Sequence, residues 1–321
     1  LSPNDEFAGF EQWDYTLSAD ALRPTNRQGS FARQALLDGL SFDQRGIGNP
    51  FRYGFIGDTD THNAAASNEE DNYTGKFAFE NDPRHRLNGL EGQREEQKQQ
   101  LRSFSSGGLA GVWATENTRV AIYEAMLRKE TFGTTGPQMK VRFFGGWKFN
   151  SGDHKKADMV DIGYASGVPM GGDLGAAKGK APTFLAWAAK DPESGNLDRV
   201  QIVKGWVDAD GNQHEKVYNV AWSGGRRLDA KGDLPPVGNT VDAKAGTYKN
   251  NIGAPQLTAY WQDPDFDTAQ RAFYYLRVLE TPTPRWSTRD SARLGTDIPG
   301  GLPEAIQERA YSSPIWYSPQ T

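Results

Sequence analysis

"GFIGDTDTHNAA", Gly54 to Ala65, decides how the first third of this chain is read. With the preceding Phe51, Arg52 and Tyr53 it alternates like a strand, and it ends in Asp58, Asp60 and His62 before small polar residues take over. Strand alternation sets Ile56, Asp58, Asp60 and His62 on one face. Asp60 and His62 then project together from the strand's carboxyl end, where α/β barrels build their sites. A carboxylate and an imidazole two residues apart can share a divalent metal, with zinc, manganese and iron all suited to the pair. The same residues also close strands through Asx and ST turns, with a histidine bonded to the backbone. Zinc takes about four ligands, and His85, His154 and His214 have no ligand-like neighbour at close spacing.

The flanks fit an α/β unit. "SFARQALLDGLSFDQ" carries Phe31, Ala35, Leu36 and Leu40 at helical spacing. "TRVAIYEAMLRKE" sets Ile122, Tyr123, Met126 and Leu127 on one helical face, with Thr115 or Asn117 as its N-cap. Beyond Thr134–Pro137 the signals turn to strands: "QMKVRFFGGW", "PTFLAWAAK", "DRVQIVKGWV", "HEKVYNVAW", "PQLTAYWQ", "RAFYYLRVLE" and "AYSSPIWYS" are aromatic, β-branched and bounded by turn residues. Such a series predicts an antiparallel sandwich. Residues 151–180, 224–251 and the "ETPTPRWSTRDSARLGTDIPGG" stretch read as long connections, and "GQREEQKQQLRS" as a solvated helix or loop.

Composition narrows the function. The chain has 321 residues, 36% of them hydrophobic, with 9 Trp, 12 Tyr and 16 Phe for a core. A net charge of −5 with no basic run argues against nucleic acid as a partner. The absence of cysteine excludes disulfides and thiolate chemistry. No apolar stretch reaches the ~20 residues of a transmembrane helix.

"NPFRYGFIGDTDTHN", "EEDNYTGK" and "GGLAGVWATENTRVAIYEAMLRKETFGTTGP" resemble the domain-of-unknown-function 3604 family of bacterial proteins. So do "VRFFGGW", "LDRVQIVKGWVD", "AFYYLRVLETPTPRWST" and "IQERAYSSPIWYSP", and the likeness runs through nearly the whole chain. The family in turn looks like a relative of the polymerase and histidinol phosphatase (PHP) superfamily, whose members carry metal ions in a distorted β/α barrel and are often phosphoesterases. The resemblance implies a fold of class α+β: residues 1–136 as the carboxyl-terminal part of such a barrel, and residues 137–321 as a β-sandwich domain. It implies Asp60 and His62 as metal ligands and a preceding part of the same protein that completes the barrel and its ligand set. Export signals in relatives imply a periplasmic or secreted location.

Three further roles follow from residue chemistry. Asp58 is a candidate catalytic carboxylate that orients a metal-bound water or accepts its proton. Arg119 and Arg128 are candidate substrate-binding residues, because a guanidinium binds two phosphate oxygens at once, though each also fits a surface ion pair. "SSGGLAGVW" offers backbone N–H groups to an anion or leads into a strand. The rival reading is a binding module using sandwich tryptophans and the "TPTPRWSTRD" loop, with Arg285 and Trp286 turned outward, to hold carbohydrate or a protein partner. No G-x-S-x-G elbow is present, and acidic "WQDPDFD" lacks the full calcium-loop pattern.

Overall fold

The computed structural model describes residues 5–12, 29–176 and 179–319; the rest of the 1–136 segment expected as a barrel part lies outside them. In chain order the helices are α1 (Ala32–Gln44), α2 (Pro83–Asn88), α3 (Glu95–Arg102), α4 (Arg119–Leu127), α5 (Met159–Ser166) and α6 (Trp286–Leu294). The early strands are β1 (Leu109–Val112), β2 (Thr131–Thr134), β3 (Lys140–Gly146), β4 (Gly167–Pro169), β5 (Asp173–Leu174), β6 (Thr183–Ala189), β7 (Leu197–Val207) and β8 (Gln213–Trp222). The later ones are β9 (Val241–Asp242), β10 (Thr247–Tyr248), β11 (Gln256–Gln262), β12 (Arg271–Glu280), β13 (Thr283–Pro284), β14 (Ala305–Ile306), β15 (Arg309–Ser312) and β16 (Ile315–Tyr317).

Two sheets stack. The larger, of eight strands, is antiparallel except for the β16–β5 pair, with β12 flanked by β7 on one side and by β15 and β16 on the other. The smaller runs β11-β6-β3-β4. Alternate residues of β3 and β6 (Val141, Phe143, Phe184, Ala186) meet Val200, Ile202, Tyr274 and Leu276 of β7 and β12 in a shared core. The larger sheet's other face takes Leu36, Leu37 and Leu40 of α1 against Val203, Phe273 and Tyr275. β7 and β12 are buried along almost their whole length, and they carry Asp198, Arg199, Gln201, Lys204 and Arg277 into the interior among their apolar residues.

The fold is mixed α and β with antiparallel sheets, and the described residues form no closed barrel. β1 and β2, from the region before residue 136, extend the edge of the same sheet through β15. "FRYGFIGD" is extended but forms no ladder with any strand. The long connections are also more structured than expected: the first holds α5, β4 and β5, the second the β9–β10 hairpin, and the third α6 between β13 and β14.

α4 forms as its spacing predicts but turns the other way. Thr118 caps it, through Oγ1 accepting from the Ala121 amide, and it buries the small side of the helix, Ala121 and Ala125. Val120, Tyr123, Met126 and Leu127 are exposed. No helix among the described residues is long and apolar enough to cross a membrane.

Candidate functional site

Residues 54–59 lie against β1, β2 and the glycines before β1, and the approach is closest where Gly57 meets Gly133. A Cβ on Gly133 would lie 2.6 Å from the Gly57 nitrogen, and one on Gly57 would lie 2.7 Å from the Leu109 and Thr134 carbonyl oxygens. Glycine therefore permits two layers of backbone to touch. The segment is tied by the Phe55 amide donating to Ser313 Oγ (2.9 Å) and the Gly108 amide donating to the Asp58 carbonyl (2.9 Å).

Beyond this contact lies a cleft of about 340 Å³ lined by Asp58, Asp60, Lys76, Phe104, Thr134 and Thr135, with the Ser103–Gly108 strip as one wall. Asp58 and Asp60 are exposed. The Asp58 carboxylate accepts from the neighbouring Thr59 amide and from no other of the described residues. The Asp60 carboxylate pairs with the ammonium of Lys76, whose side chain is buried and lies 5.0 Å from the centre of the Phe104 ring.

Alternation stops at Asp60. Its φ of +50° is left-handed, a conformation that aspartate tolerates better than most residues. His62 therefore sits past a turn, its ring 5.4 Å from that of Phe77, and does not line the cleft. Its amide donates to the Lys76 carbonyl (2.7 Å), and its Nδ1 bonds the Asp60 carbonyl (3.0 Å). A carbonyl only accepts, so Nδ1 carries the proton and Nε2 keeps a lone pair when the ring is neutral.

The other candidates fall elsewhere. Arg119 and Arg128 sit at opposite ends of α4, both exposed, and neither lines the cleft. Arg128 pairs with the buried Glu130 at 3.5 Å. In "SSGGLAGVW" the Gly107 and Gly108 amides donate to the Ser67 and Asp58 carbonyls, so the stretch is a strand lead-in.

Arg285 and Trp286 turn inward, not outward. Arg285 pairs with Glu11 and donates to the carbonyls of Arg102 and Phe104. Trp286 joins Tyr73, Leu87, Leu101 and Phe104 in a small core that holds α2, α3 and α6 beside the cleft. The polar α3 is thus a solvated helix anchored by Leu101, and it delivers Ser103 and Phe104 to the cleft wall. Asp263 and Asp265 of "WQDPDFD" are taken up by Lys204, Tyr274, Lys216 and Tyr218.

Sequence reasoning missed Lys76, which stands sixteen residues from its partner Asp60. A lysine in "EEDNYTGK" carries no local signal for that pairing. Among the described residues no three histidine or acidic side chains gather as metal ligands do.

No curated protein and no solved structure matches the chain. One family model, described as protein of unknown function (DUF3604), matches residues 1–319. A match over that span establishes that the chain belongs to the DUF3604 family.

Proposed function

We propose that Asp60 and His62 are part of the ligand set of a metal-dependent hydrolase acting on an ester of the phosphoester class. The described residues do not hold a metal by themselves: Asp60 lines the cleft and is already paired with Lys76, while His62 stands past the turn and outside it. In this reading the remaining ligands come from polypeptide that precedes residue 1 and completes the PHP-like barrel. Zinc, manganese and iron all suit the imidazole–carboxylate pair, and the chemistry such an ion supplies is activation of water. Asp58, which lines the cleft and among the described residues accepts from one backbone amide, is the proton acceptor.

The observation that carries the reading is the state of His62. Its Nδ1 is held by a backbone carbonyl while the ring is exposed, the arrangement that orients a ligand histidine with Nε2 outward. The uncovered apolar face of α4 adds support. Among the described residues nothing buries Val120, Tyr123, Met126 and Leu127, while Ala121 and Ala125 on the other side are covered. The rival reading, aromatic platforms for carbohydrate or a protein partner, gains nothing here: no tryptophan among the described residues is in the exposed class.

Elemental analysis after dialysis tests the proposal, on this chain and on a polypeptide extended upstream of Leu1. The extended form is expected to retain stoichiometric metal, and its His62→Ala variant to lose it with the fold intact. Equal metal content in the variant, or none in either form, rejects the ligand assignment.

A further inference from the structure

Tyr73 also lines the Asp58–Asp60 cleft, and its hydroxyl is unused. The residue is 5% exposed. Its ring is fixed in the small core beside the cleft, 4.9 Å from the ring of Trp286 and with the Arg86 guanidinium 5.7 Å from its centre. A phenol so deeply buried ordinarily gives its O–H to a protein acceptor. This one has no hydrogen-bond partner among the described residues, yet its oxygen is not sealed from solvent. The cleft that Tyr73 lines is the space it opens on. A phenol is protonated at neutral pH, and burial pushes this one further up. Tyr73 is therefore a donor held in place without an acceptor.

At the rim the need is reversed. Asp58 is exposed, and its carboxylate has acceptor capacity beyond the one backbone amide that it takes. The other charged side chains on the cleft are already matched, Lys76 with Asp60 and Glu11 with the buried Arg285. Ser105, half-buried on the wall, has no hydrogen-bond partner among the described residues, and its hydroxyl can donate or accept.

We propose that the cleft binds a neutral sugar unit, one hydroxyl oxygen accepting from Tyr73 and another hydroxyl donating to Asp58. The pairing of needs selects that chemistry. An ammonium brings donors alone. A phosphate or carboxylate brings acceptors alone, and the lysine on this cleft is already paired. A hydroxyl does both, and a sugar carries several on one rigid ring. At about 340 Å³ the cleft is at the small end of ligand sites, room for a single ring, and Phe104 gives it an aromatic wall for the sugar's C–H face. Asp58 has two oxygens, so a sugar hydroxyl on one leaves the other for a water. The inference names the alcohol side of the ester. It rests on the hydrolase reading only for the bond that is cut, because binding the sugar requires no metal.

Titration calorimetry on the full chain, dialysed against chelator, tests this with methyl α-D-glucopyranoside, methyl α-D-mannopyranoside and methyl β-D-galactopyranoside. Saturable binding of at least one is expected. Tyr73→Phe, which removes the hydroxyl and keeps the ring, is expected to weaken it about three- to tenfold, the worth of one hydrogen bond. Asp58→Ala at the exposed rim is expected to weaken it similarly, and it carries the test should Tyr73→Phe fail to fold. Asp210→Asn on the β7–β8 hairpin is expected to bind as the parent does. Glycoside binding by a protein that retains metal in no form supports this inference and rejects the hydrolase reading. No saturable binding of any glycoside, parental affinity in Tyr73→Phe and Asp58→Ala, or tighter binding of inorganic phosphate or ethanolamine overturns the proposal.

Discussion

Asp5 and Asp60 are both aspartates held by basic side chains, yet their surroundings are opposite. Asp5 lies against the large sheet, where its carboxylate accepts from both terminal nitrogens of Arg277 (2.8 and 2.7 Å) and from Arg33 (2.9 Å). Every partner is itself engaged: Arg277 Nε donates to Gln201 and Arg33 Nε to Tyr275. The Asp5 side chain is 2% exposed. Burial pushes its carboxyl up, but the bonds and charges of Arg277 and Arg33 outweigh burial and hold it at about 2. Asp60 is 71% exposed and, among the described residues, pairs with the ammonium of Lys76. The chain thus surrounds the aspartate at the sheet with bonded cations and leaves the one at the cleft open to solvent.

The strongest way to break this contrast is Asp5→Ala. It strands two buried guanidinium groups, and denaturant unfolding is expected to show a loss of about 3–5 kcal/mol. The same contact predicts acid behaviour. The folded value lies below the ordinary 3.8, so the unfolded chain binds more protons in that window. The stabilisation is complete above about pH 4 and fades as pH falls through about 2, a change of about 2 kcal/mol. Asp5→Asn is expected to lack this acid-dependent part; an unchanged profile would remove Asp5 from the account.

A middle-sized effect is expected at the glycine contact beneath the cleft. Gly133→Ala drives a methyl into the backbone of Ile56 and Gly57, which has no flexible side chain to yield. Overpacking of this kind costs about 1–3 kcal/mol, and chemical-shift changes should reach Asp58 and Asp60. A wild-type melting temperature would mean that the 54–59 segment does not rest on β2.

The smallest effect sharpens the comparison from the other side. Leu127→Gln on α4 removes apolar surface that is exposed among the described residues, so the stability read from thermal unfolding should shift by less than about 0.5 kcal/mol. A larger loss would mean that the α4 face is already packed.

Much of the fold was legible because it is encoded locally. β3, β6, β7, β8, β11 and β12 each carry their aromatic and β-branched residues between turn formers, and α1 carries its apolar stripe. Direction and partnership were less legible. In α4 the larger apolar side chains outvote the alanines in any reading of spacing, but Ala121 and Ala125 are what allow the close approach. Arg285 resembled a loop arginine because Glu11, 274 residues away, is invisible to local pattern. At the cleft the residue types of "DTDTH" were readable. The left-handed turn at Asp60 that parts His62 from the two aspartates depends on the tertiary bond from His62 to Lys76.

The place of β15 in the large sheet also sets the order in which the chain can fold. β2 is made early, but its inner partner β15 comes far downstream, and the clasp between the Thr131 and Ser313 hydroxyls spans 182 residues. β12 likewise waits for β15 and β16 to close its second edge. As a chain emerges from the ribosome, both strands must stay open-edged until residues 309–317 appear. Such distant pairing makes for slow folding, and the waiting edges are the surfaces through which a nascent copy would aggregate.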